Sequence, residues 1–273
     1  MNIIDAHFHL FPDSPHMRQR LRAVGHDCGE AALTACWNGL GVVHGVVMTN
    51  GPLDPALHRH AGPMHYCIGL DSGCLASYSD PGQAMALVEE NLRLPQCVGI
   101  KLYPGYNFQY LSHDMYIPCY ELARTYKKPV AVHMGQTAGP RAKLKYSHPL
   151  TLDEVAADWP DVQFVMCHFG NPFLADAAAV LEKNDNVCAD LSGLLEGVTD
   201  LGRYFDRQGE YIRQLRGWMA YVDDWDKFLF GTDFPAVNVG NYIEFIRRLV
   251  PEEHHRAVFF ENANRVYRLG LEG

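Results

Sequence analysis

The sequence has no apolar run long enough to cross a membrane and no excess of basic residues. Its 23 lysines and arginines are outnumbered by 32 acidic residues, which gives a net charge of −9 at pH 7. A negative chain is repelled by nucleic acid phosphates and by anionic membrane surfaces. A membrane-spanning helix would need about 20 consecutive apolar residues. We therefore expect neither nucleic acid nor a membrane as a partner, and a small molecule as the ligand.

Paired cysteine motifs are also missing. The eight cysteines include no CxxC spacing, and a chain of 273 residues does not need disulfides to build a stable core. The first residues lack the basic segment and apolar stretch of a secretory signal. These features predict reduced thiols in a cytoplasmic protein. The alternative, a thiol nucleophile or metal ligand, best suits Cys167, which directly precedes His168.

Short apolar runs, each bounded by turn residues, recur along the whole chain. Near-continuous apolar runs of this length are typical of parallel strands buried on both faces. The predicted strands cover residues 3–9, 42–49, 65–70, 97–103, 129–134, 162–169, 187–192 and 227–233. Segments with helical spacing lie between them, at 80–94, 113–128, 151–159, 171–184, 198–222 and 239–250.

Three helical segments carry signals for where they begin. Asp80 followed by Pro81 predicts an N-cap and a first helical position. Pro118 predicts a helix start or a kink inside residues 113–128. Thr151 followed by Glu154 three residues later has the pattern of a capping box.

Eight strands alternating with helices predict an α/β fold, a single (β/α)8 TIM barrel over residues 1–273. No linker, repeat or shift in composition divides the chain. A doubly wound open sheet is the alternative. That fold would need a glycine-rich phosphate loop after the first strand, and "HFHLFPDS" does not supply one.

Polar side chains follow the predicted strands at the end where such barrels carry their chemistry. In "NIIDAHFHLF" the residues Asp5, His7 and His9 occupy every second position, which predicts that they share one face of the first strand and that Ile4, Ala6 and Phe8 share the other. Further polar residues end later strands, namely Lys101, His133, His168 and Asp233. We expect these side chains to meet at one rim of the barrel.

Three imidazoles and one carboxylate form a donor set that suits Zn²⁺, and Mn²⁺ or Fe²⁺ would also fit. The expected ligands of one ion, favoured over two, are His7, His9, His133 and Asp233. An open site on such a cation lowers the pKa of bound water to about 7. Asp233 or His168 then acts as general base and later as acid. Lys101 would form a salt bridge, contact a substrate carboxylate or, if carbamylated, bridge two metals.

These residues resemble the amidohydrolase superfamily, in particular the branch typified by aminocarboxymuconate-semialdehyde decarboxylase. The resemblance covers most of the chain and rests on "DAHFH", "VGIKLYP", "VAVHMG", "VMCHFGNP", "NVCADLSG", "FGTDFP" and "ENANRVYRL" in this order. It implies a distorted TIM barrel that binds a divalent metal. It also implies that the four expected ligands match the family's ligand positions and that His168 matches the acid/base position.

Members of this superfamily hydrolyse carbon–nitrogen, ester or lactone bonds, hydrate double bonds, or decarboxylate without oxidation. The two-histidine form of "HFH" favours hydrolysis, because some decarboxylating relatives replace one histidine by glutamate. We therefore expect a metal-dependent hydrolase of a small, carboxylated molecule. The alternative is a non-oxidative decarboxylase of an aromatic or muconate-like acid. A third interpretation is a catalytically silent metal-binding or scaffold protein.

Candidate substrate contacts lie on the loops after the fourth, fifth and sixth strands. Besides Lys101 they are Tyr103, Tyr106, Gln136, Arg141, Lys143, Lys145 and Asn171. The basic segment around residues 141–145 indicates an anionic substrate, although ordinary solvated loop charges would give the same pattern. A homodimer through residues 198–222 is compatible with the sequence, and internal packing of that segment is equally so.

Overall fold

The computed structural model describes residues 1–75, 77 and 80–273, and its centre is a nearly closed barrel of parallel strands. The strands are β1 Ile3–Phe8, β2 Val42–Met48, β3 Met64–Leu70, β4 Cys97–Leu102, β5 Val130–Val132, β6 Phe164–Met166, β7 Val187–Asp190 and β8 Phe228–Leu229. Each strand pairs in parallel with the next one along the chain, from β1 to β8. This order confirms the predicted (β/α)8 barrel and excludes the doubly wound sheet.

Backbone hydrogen bonds close the barrel between β1 and the segment that follows β8. Ala6 N donates to Phe230 O at 2.9 Å, and Asp233 N donates to His7 O at 2.8 Å. The two segments approach so closely at Gly231 that a Cβ atom there would lie 2.8 Å from His7 Cβ. The closure brings two predicted metal ligands, 226 positions apart in the sequence, to neighbouring places on the rim.

The α-helices that cover the barrel are α1 Pro15–Ala23, α2 Glu30–Leu40, α3 Ser72–Leu75, α4 Pro81–Arg93, α5 Pro104–Asn107, α6 Ile117–Tyr126, α7 Leu150–Asp158, α8 Leu174–Lys183, α9 Leu201–Arg207, α10 Gly209–Val222, α11 Val239–Leu249 and α12 Asn262–Val266. A π-helical turn, Ala257–Glu261, leads into α12. In the described part of the chain, no helix is both long and apolar enough to cross a bilayer.

The helix-start signals are confirmed in two cases and wrong in one. Asp80 caps α4 by accepting a hydrogen bond from Gly82 N at 2.8 Å, and Pro118 lies in the first turn of α6. The predicted capping box at Thr151 does not form. Helix α7 already begins at Leu150, so the Thr151 hydroxyl lies inside the first turn and donates to His148 O at 2.8 Å.

The apolar residues form an outer layer between strands and helices and a smaller cluster inside the barrel. The inner cluster takes at least one residue from every strand, including Ile4 and Ala6 from β1. Phe8 instead packs outside, edge-on against Trp37 at 5.1 Å between ring centroids. The prediction that Ile4, Ala6 and Phe8 share a face is therefore wrong, because the pairing register of β1 shifts between Asp5 and Phe8.

The amino-terminal end of the barrel is sealed by the end of the chain. Ala263, Val266 and Tyr267 are buried in the same cluster as the inward-facing strand residues. The interior below the rim is thus filled with side chains, as expected for an eight-stranded barrel. In the described part of the chain, the inward-facing polar residues that could build a site in the barrel lie towards its carboxyl-terminal rim.

Candidate metal centre

Four predicted site residues lie on the loops that directly follow the strands, whereas His7 and Lys101 lie within β1 and β4. His9 is the first residue after β1 and His133 the first after β5, whereas His168 and Asp233 follow β6 and β8 by two and four positions. The strands are shorter than predicted because the chain turns into the loops at these polar residues. The side chains are consequently held by turns that the strands anchor.

Three donor groups converge on one point of the rim. His9 Nε2 lies 3.3 Å and His7 Nε2 3.6 Å from Asp233 Oδ1, and the ligand atoms of the three residues all lie within 4.8 Å of one another. Two nitrogen ligands at about 2.0–2.1 Å from a tetrahedral cation are roughly 3.3 Å apart. The spacing therefore fits a shared metal ion.

The other ring nitrogens of the two histidines are engaged by acceptors. His7 Nδ1 donates to Asp190 Oδ2 at 2.7 Å, and His9 Nδ1 donates to Met48 O at 2.7 Å. Each Nε2 then carries a lone pair instead of a proton. His7 Nε2 is buried without a hydrogen-bond partner in the described part of the chain. A buried lone pair of this kind is costly unless a cation receives it, so the donor set fits a divalent metal.

His133 and His168 form a second contact beside these donors. His168 Nε2 lies 3.1 Å from His133 Nδ1, and the His168 ring centroid is 4.8 Å from that of His7. His133 Nε2 donates to Gln136 O at 2.9 Å and His168 Nδ1 donates to Ser192 O at 3.2 Å. Two lone pairs then face each other across the contact, and either a shared proton or a cation satisfies both. Ligation by His133 stays a prediction that this geometry permits.

Asp190 orients residues of the site through its hydrogen bonds, and it was not among the site residues predicted from the sequence. Its carboxylate accepts hydrogen bonds from His7 Nδ1, from His168 N at 3.0 Å and from Ser192 N at 3.1 Å. One side chain thus orients the expected ligand and the expected acid/base residue. The signal was present, because Asp190 is a carboxylate at the end of an apolar strand, just like the residues that were singled out.

Burial and neighbouring charges set the protonation of these groups. Burial lowers the pKa of His7 to about 4 and also lowers the pKa of His168, which favours the neutral imidazoles that bind metals. For Asp233, burial opposes ionisation, but the hydrogen bond from His9 and the nearby imidazoles outweigh it and hold the pKa below its usual range. Burial raises the pKa of Asp5, which is bonded to Thr232, to about 7.

Two site residues have backbone conformations that are uncommon for residues with a Cβ atom. His168 has φ 62° and Asp233 has φ 60°, in the left-handed region that mainly glycine and turn residues adopt. Gly193 packs against the first of them, and a Cβ atom there would lie 2.9 Å from His168 Nδ1. Local strain of this kind is found where a structure holds functional groups in place.

A cavity of about 500 Å³ opens over the donor groups, a volume within the range of small-molecule sites. His9, His133, His168 and Asp233 line it together with the predicted contacts Tyr103 and Tyr106. The cavity is also lined by four residues that were not predicted from the sequence, Phe11, Arg20, Asn50 and Asp71. Arg20 comes from helix α1, where no strand-end rule would have found it, and it brings a guanidinium to the cavity.

The other predicted substrate contacts lie elsewhere. Lys101 is fully buried, with its Nζ 2.7 Å from Cys167 Sγ, and it is absent from the described lining of the cavity. Gln136 and Asn171 join two loops, since Gln136 N donates to Asn171 O at 2.7 Å. Substrate contact by Lys101, Gln136 and Asn171 stays a prediction.

The lysines of the basic loop lie close to aromatic rings of the protein. Lys143 Nζ lies 5.0 Å from the ring centroid of Phe108, and Lys145 Nζ lies 4.6 Å from that of Tyr146. Neither these lysines nor Arg141 belong to the described cavity lining. Among the described lining residues Arg20 carries the positive charge, and anion binding by the basic loop stays a prediction.

A (β/α)8 barrel with imidazole and carboxylate donors at its carboxyl-terminal rim is the architecture of a metal-dependent enzyme. Comparison with protein families gives the particular family. The amidohydrolase family model matches residues 4–269, and the chain belongs to that family. No curated protein matches the sequence significantly.

Solved structures with the same fold include hydrolases and decarboxylases. An uncharacterised TIM-barrel protein from Bordetella bronchiseptica is 18% identical with a TM-score of 0.73, covering 98% of this chain and 99% of the other. A putative 2-pyrone-4,6-dicarboxylic acid hydrolase from Pseudomonas putida is 17% identical with a TM-score of 0.67, covering 99% of both chains.

A dihydroxybenzoic acid decarboxylase from a Polaromonas species, solved with bound manganese and the inhibitor 2-nitroresorcinol, is 14% identical with a TM-score of 0.66. The match covers 100% of this chain and 98% of the other. At these identities the likeness supports the shared fold. That structure contains a manganese ion, and in this chain the group formed by His7, His9 and Asp233 could hold a metal ion.

Proposed function

We propose that this protein is a metal-dependent hydrolase that acts on a small carboxylated amide, ester or lactone. The proposed ligands of a single Zn²⁺ ion are His7, His9, His133 and Asp233. The observation that carries the proposal is the convergence of His7 Nε2, His9 Nε2 and Asp233 Oδ1, with the buried His7 Nε2 lacking any described hydrogen-bond partner. A divalent cation bound there supplies Lewis acidity that polarises a carbonyl group and acidifies water.

The protein's own residues would orient the substrate and move the proton. Arg20 offers a bidentate partner for a substrate carboxylate. His168 keeps Nδ1 bonded to Ser192 O, so its Nε2 is the atom that takes a proton from the attacking water and returns it to the leaving group. Asp233 is the alternative proton acceptor. Tyr103 and Tyr106 form an aromatic wall that limits access of bulk water.

A decarboxylase of an aromatic acid is the second candidate. The rings of Tyr103 and Tyr106 lie 6.4 Å and 5.1 Å from that of His133, an arrangement that would accept a flat aromatic substrate. Several proteins with the same fold are described as decarboxylases of hydroxybenzoates. The two histidines of "HFH" favour the hydrolase.

Reaction in ¹⁸O-labelled water separates the two candidates. The zinc-loaded protein would be offered carboxylated amides, esters and lactones, and hydroxybenzoic acids, with metal-stripped protein as the control. The proposed hydrolase incorporates one ¹⁸O atom into the product. Release of CO₂ without label would overturn the proposal in favour of the decarboxylase, and the absence of turnover on every class would contradict both.

Metal analysis tests the single-ion part of the proposal. We expect one equivalent of zinc per chain after purification without chelator. Two equivalents would contradict it and would point to carbamylation of Lys101, which mass spectrometry at neutral pH can detect as added CO₂.

A further inference from the structure

A second cavity adjoins the one over the candidate metal centre, and Phe11 lines both. Its volume is about 480 Å³, close to that of the cavity over the donor groups. The two cavities share His9, Phe11, Asn50 and Pro235 as lining residues. The ring of Phe11 stacks on that of His9 at 5.7 Å between centroids. The cavities are thus neighbours with shared lining residues, and we call them the metal lobe and the apolar lobe.

Helix α1 contributes to both lobes. Arg20 lines the metal lobe, whereas Met17 and Leu21 line the apolar lobe. Residues three or four apart lie on one side of a helix. One side of α1, formed by Met17, Arg20 and Leu21, therefore faces both lobes. A ligand whose charged end reaches Arg20 would therefore extend along α1 into the apolar lobe.

Most residues that line the apolar lobe are apolar, and three of its polar side chains already have hydrogen-bond partners. Thr49 Oγ1 donates to Cys67 O at 3.1 Å and accepts from Gly69 N at 2.8 Å. Glu30 Oε1 accepts from Gly62 N at 2.6 Å, and His58 Nε2 donates to Pro52 O at 2.8 Å. These groups are committed to the fold and offer little to a polar ligand.

Two apolar side chains of this lobe are unusually open to solvent. Phe11 is 41% exposed and Leu57 is 62% exposed. Clustered exposed apolar groups beside a polar site commonly mark a ligand-binding surface. Arg59 and His60 also line the lobe.

We infer that the substrate is amphipathic, with its reacting polar end in the metal lobe and an alkyl or aryl tail in the apolar lobe. This inference rests on the proposed function for the identity of the reacting end. It goes further by naming the second half of the substrate and the residues that select it, Met17, Leu21 and Leu57.

The test uses a series of 4-nitrophenyl esters of acetate, butyrate, hexanoate and octanoate with the zinc-loaded protein. Burial of each added methylene is expected to raise kcat/KM by up to about fourfold until the lobe is filled. In a parallel experiment, isothermal titration calorimetry compares the binding of acetate and octanoate ions, a measurement that needs no turnover. Octanoate is expected to bind more tightly.

Two variants locate the effect. Met17→Trp fills the lobe and should abolish the preference for long chains in both experiments, while Gln19→Trp, on the exposed side of α1, should keep it. Leu57→Ser removes apolar surface at a largely exposed position, where misfolding is not expected, and should weaken the preference.

Equal binding of acetate and octanoate, or a preference that both lobe variants retain, would overturn the inference. If no ester is hydrolysed but octanoate still binds more tightly and Met17→Trp removes this, the proposed function fails and the apolar lobe stands.

Discussion

Two close histidine pairs lie towards opposite ends of the barrel, with the same distance between their ring centroids. His133 and His168, at the rim, have ring centroids 4.7 Å apart. His44 and His65, near the beginnings of β2 and β3, also have ring centroids 4.7 Å apart, with His44 Nε2 2.6 Å from His65 Nδ1. Contact between two imidazoles is therefore not what distinguishes the site.

The difference lies in what surrounds each pair. The rim pair adjoins His7, His9 and Asp233, whose donor atoms converge. The His44–His65 pair belongs to no such group among the described residues, and its charged neighbour is Lys128, which lowers the pKa of His65 further after burial has done so. A carboxylate and further imidazoles, and not the pair itself, make a place for a divalent cation.

Removing a proposed metal ligand should have the largest effect on zinc affinity. The contrast between the two regions would fail if a change in the His44–His65 pair lowered the affinity equally. We expect His7→Ala to weaken zinc binding by more than about 100-fold, because loss of a ligand exceeds the 10- to 100-fold typical of outer partners. Competition with a chromophoric chelator measures the affinity. His44→Ala is the matched control and should leave it unchanged. Equal losses in both variants would contradict the assignment of the site.

The role of the rim pair can be separated from metal binding. His168→Asn should lower turnover by about 10² to 10⁴, the range for loss of a general acid–base group, while the zinc content stays at one equivalent. His65→Asn, the corresponding change in the other pair, should leave turnover near that of the unaltered protein. Loss of zinc from His168→Asn would instead make His168 a ligand.

The carboxylate behind the site is expected to have a smaller effect. Asp190→Asn keeps the shape of the side chain but removes the charge that holds His7 Nδ1, and it should weaken zinc binding by about 10- to 100-fold. Asp13→Asn, at an exposed ion pair with Arg18, serves as the control. Circular dichroism checks that both variants fold. Unaltered affinity in Asp190→Asn would mean that His7 is oriented without it.

The His44–His65 pair should affect the stability of the protein at acidic pH and not its catalytic activity. Burial lowers the pKa of His44 from 6.5 to about 4, with a further contribution from His65. The unfolded chain therefore binds a proton that the folded protein resists. The contribution of neutral His44 to the free energy of unfolding is fully present above pH 6.5 and is lost as the pH drops towards 4.

Urea unfolding measures this effect. Between neutral pH and pH of about 4.5, the unaltered protein should lose about 2 kcal/mol more of its unfolding free energy than His44→Gln. Lys128 faces the pair and disfavours the second charge as well. An identical pH dependence in the two proteins would show that the pair does not titrate on unfolding.

Features of the fold that depend on local pattern could be predicted from the sequence. The eight apolar runs became the eight strands, and the cap at Asp80 formed where expected. The capping box at Thr151 failed because helix α7 starts one residue earlier. The alternation along β1 failed because its register shifts where the strand meets the closure of the barrel. Both errors arise where neighbouring segments decide the backbone conformation.

The same division applies to the site. Residues that end strands could be found because barrel topology brings every strand end to one rim. Arg20 could not be found in this way, because a helix supplies it to the cavity. The contact of Lys143 with Phe108 could not be found either, because it depends on how the two loops pack and not on a sequence pattern.

The sequence by itself determined the order of strands and helices and the donor types at the strand ends, because these follow from short-range periodicity and side-chain chemistry. Only the tertiary structure decided which donors converge, which carboxylate orients them and where a substrate would extend. Those properties depend on distances between segments far apart in the chain, which are set by barrel closure and by the packing of loops on the rim.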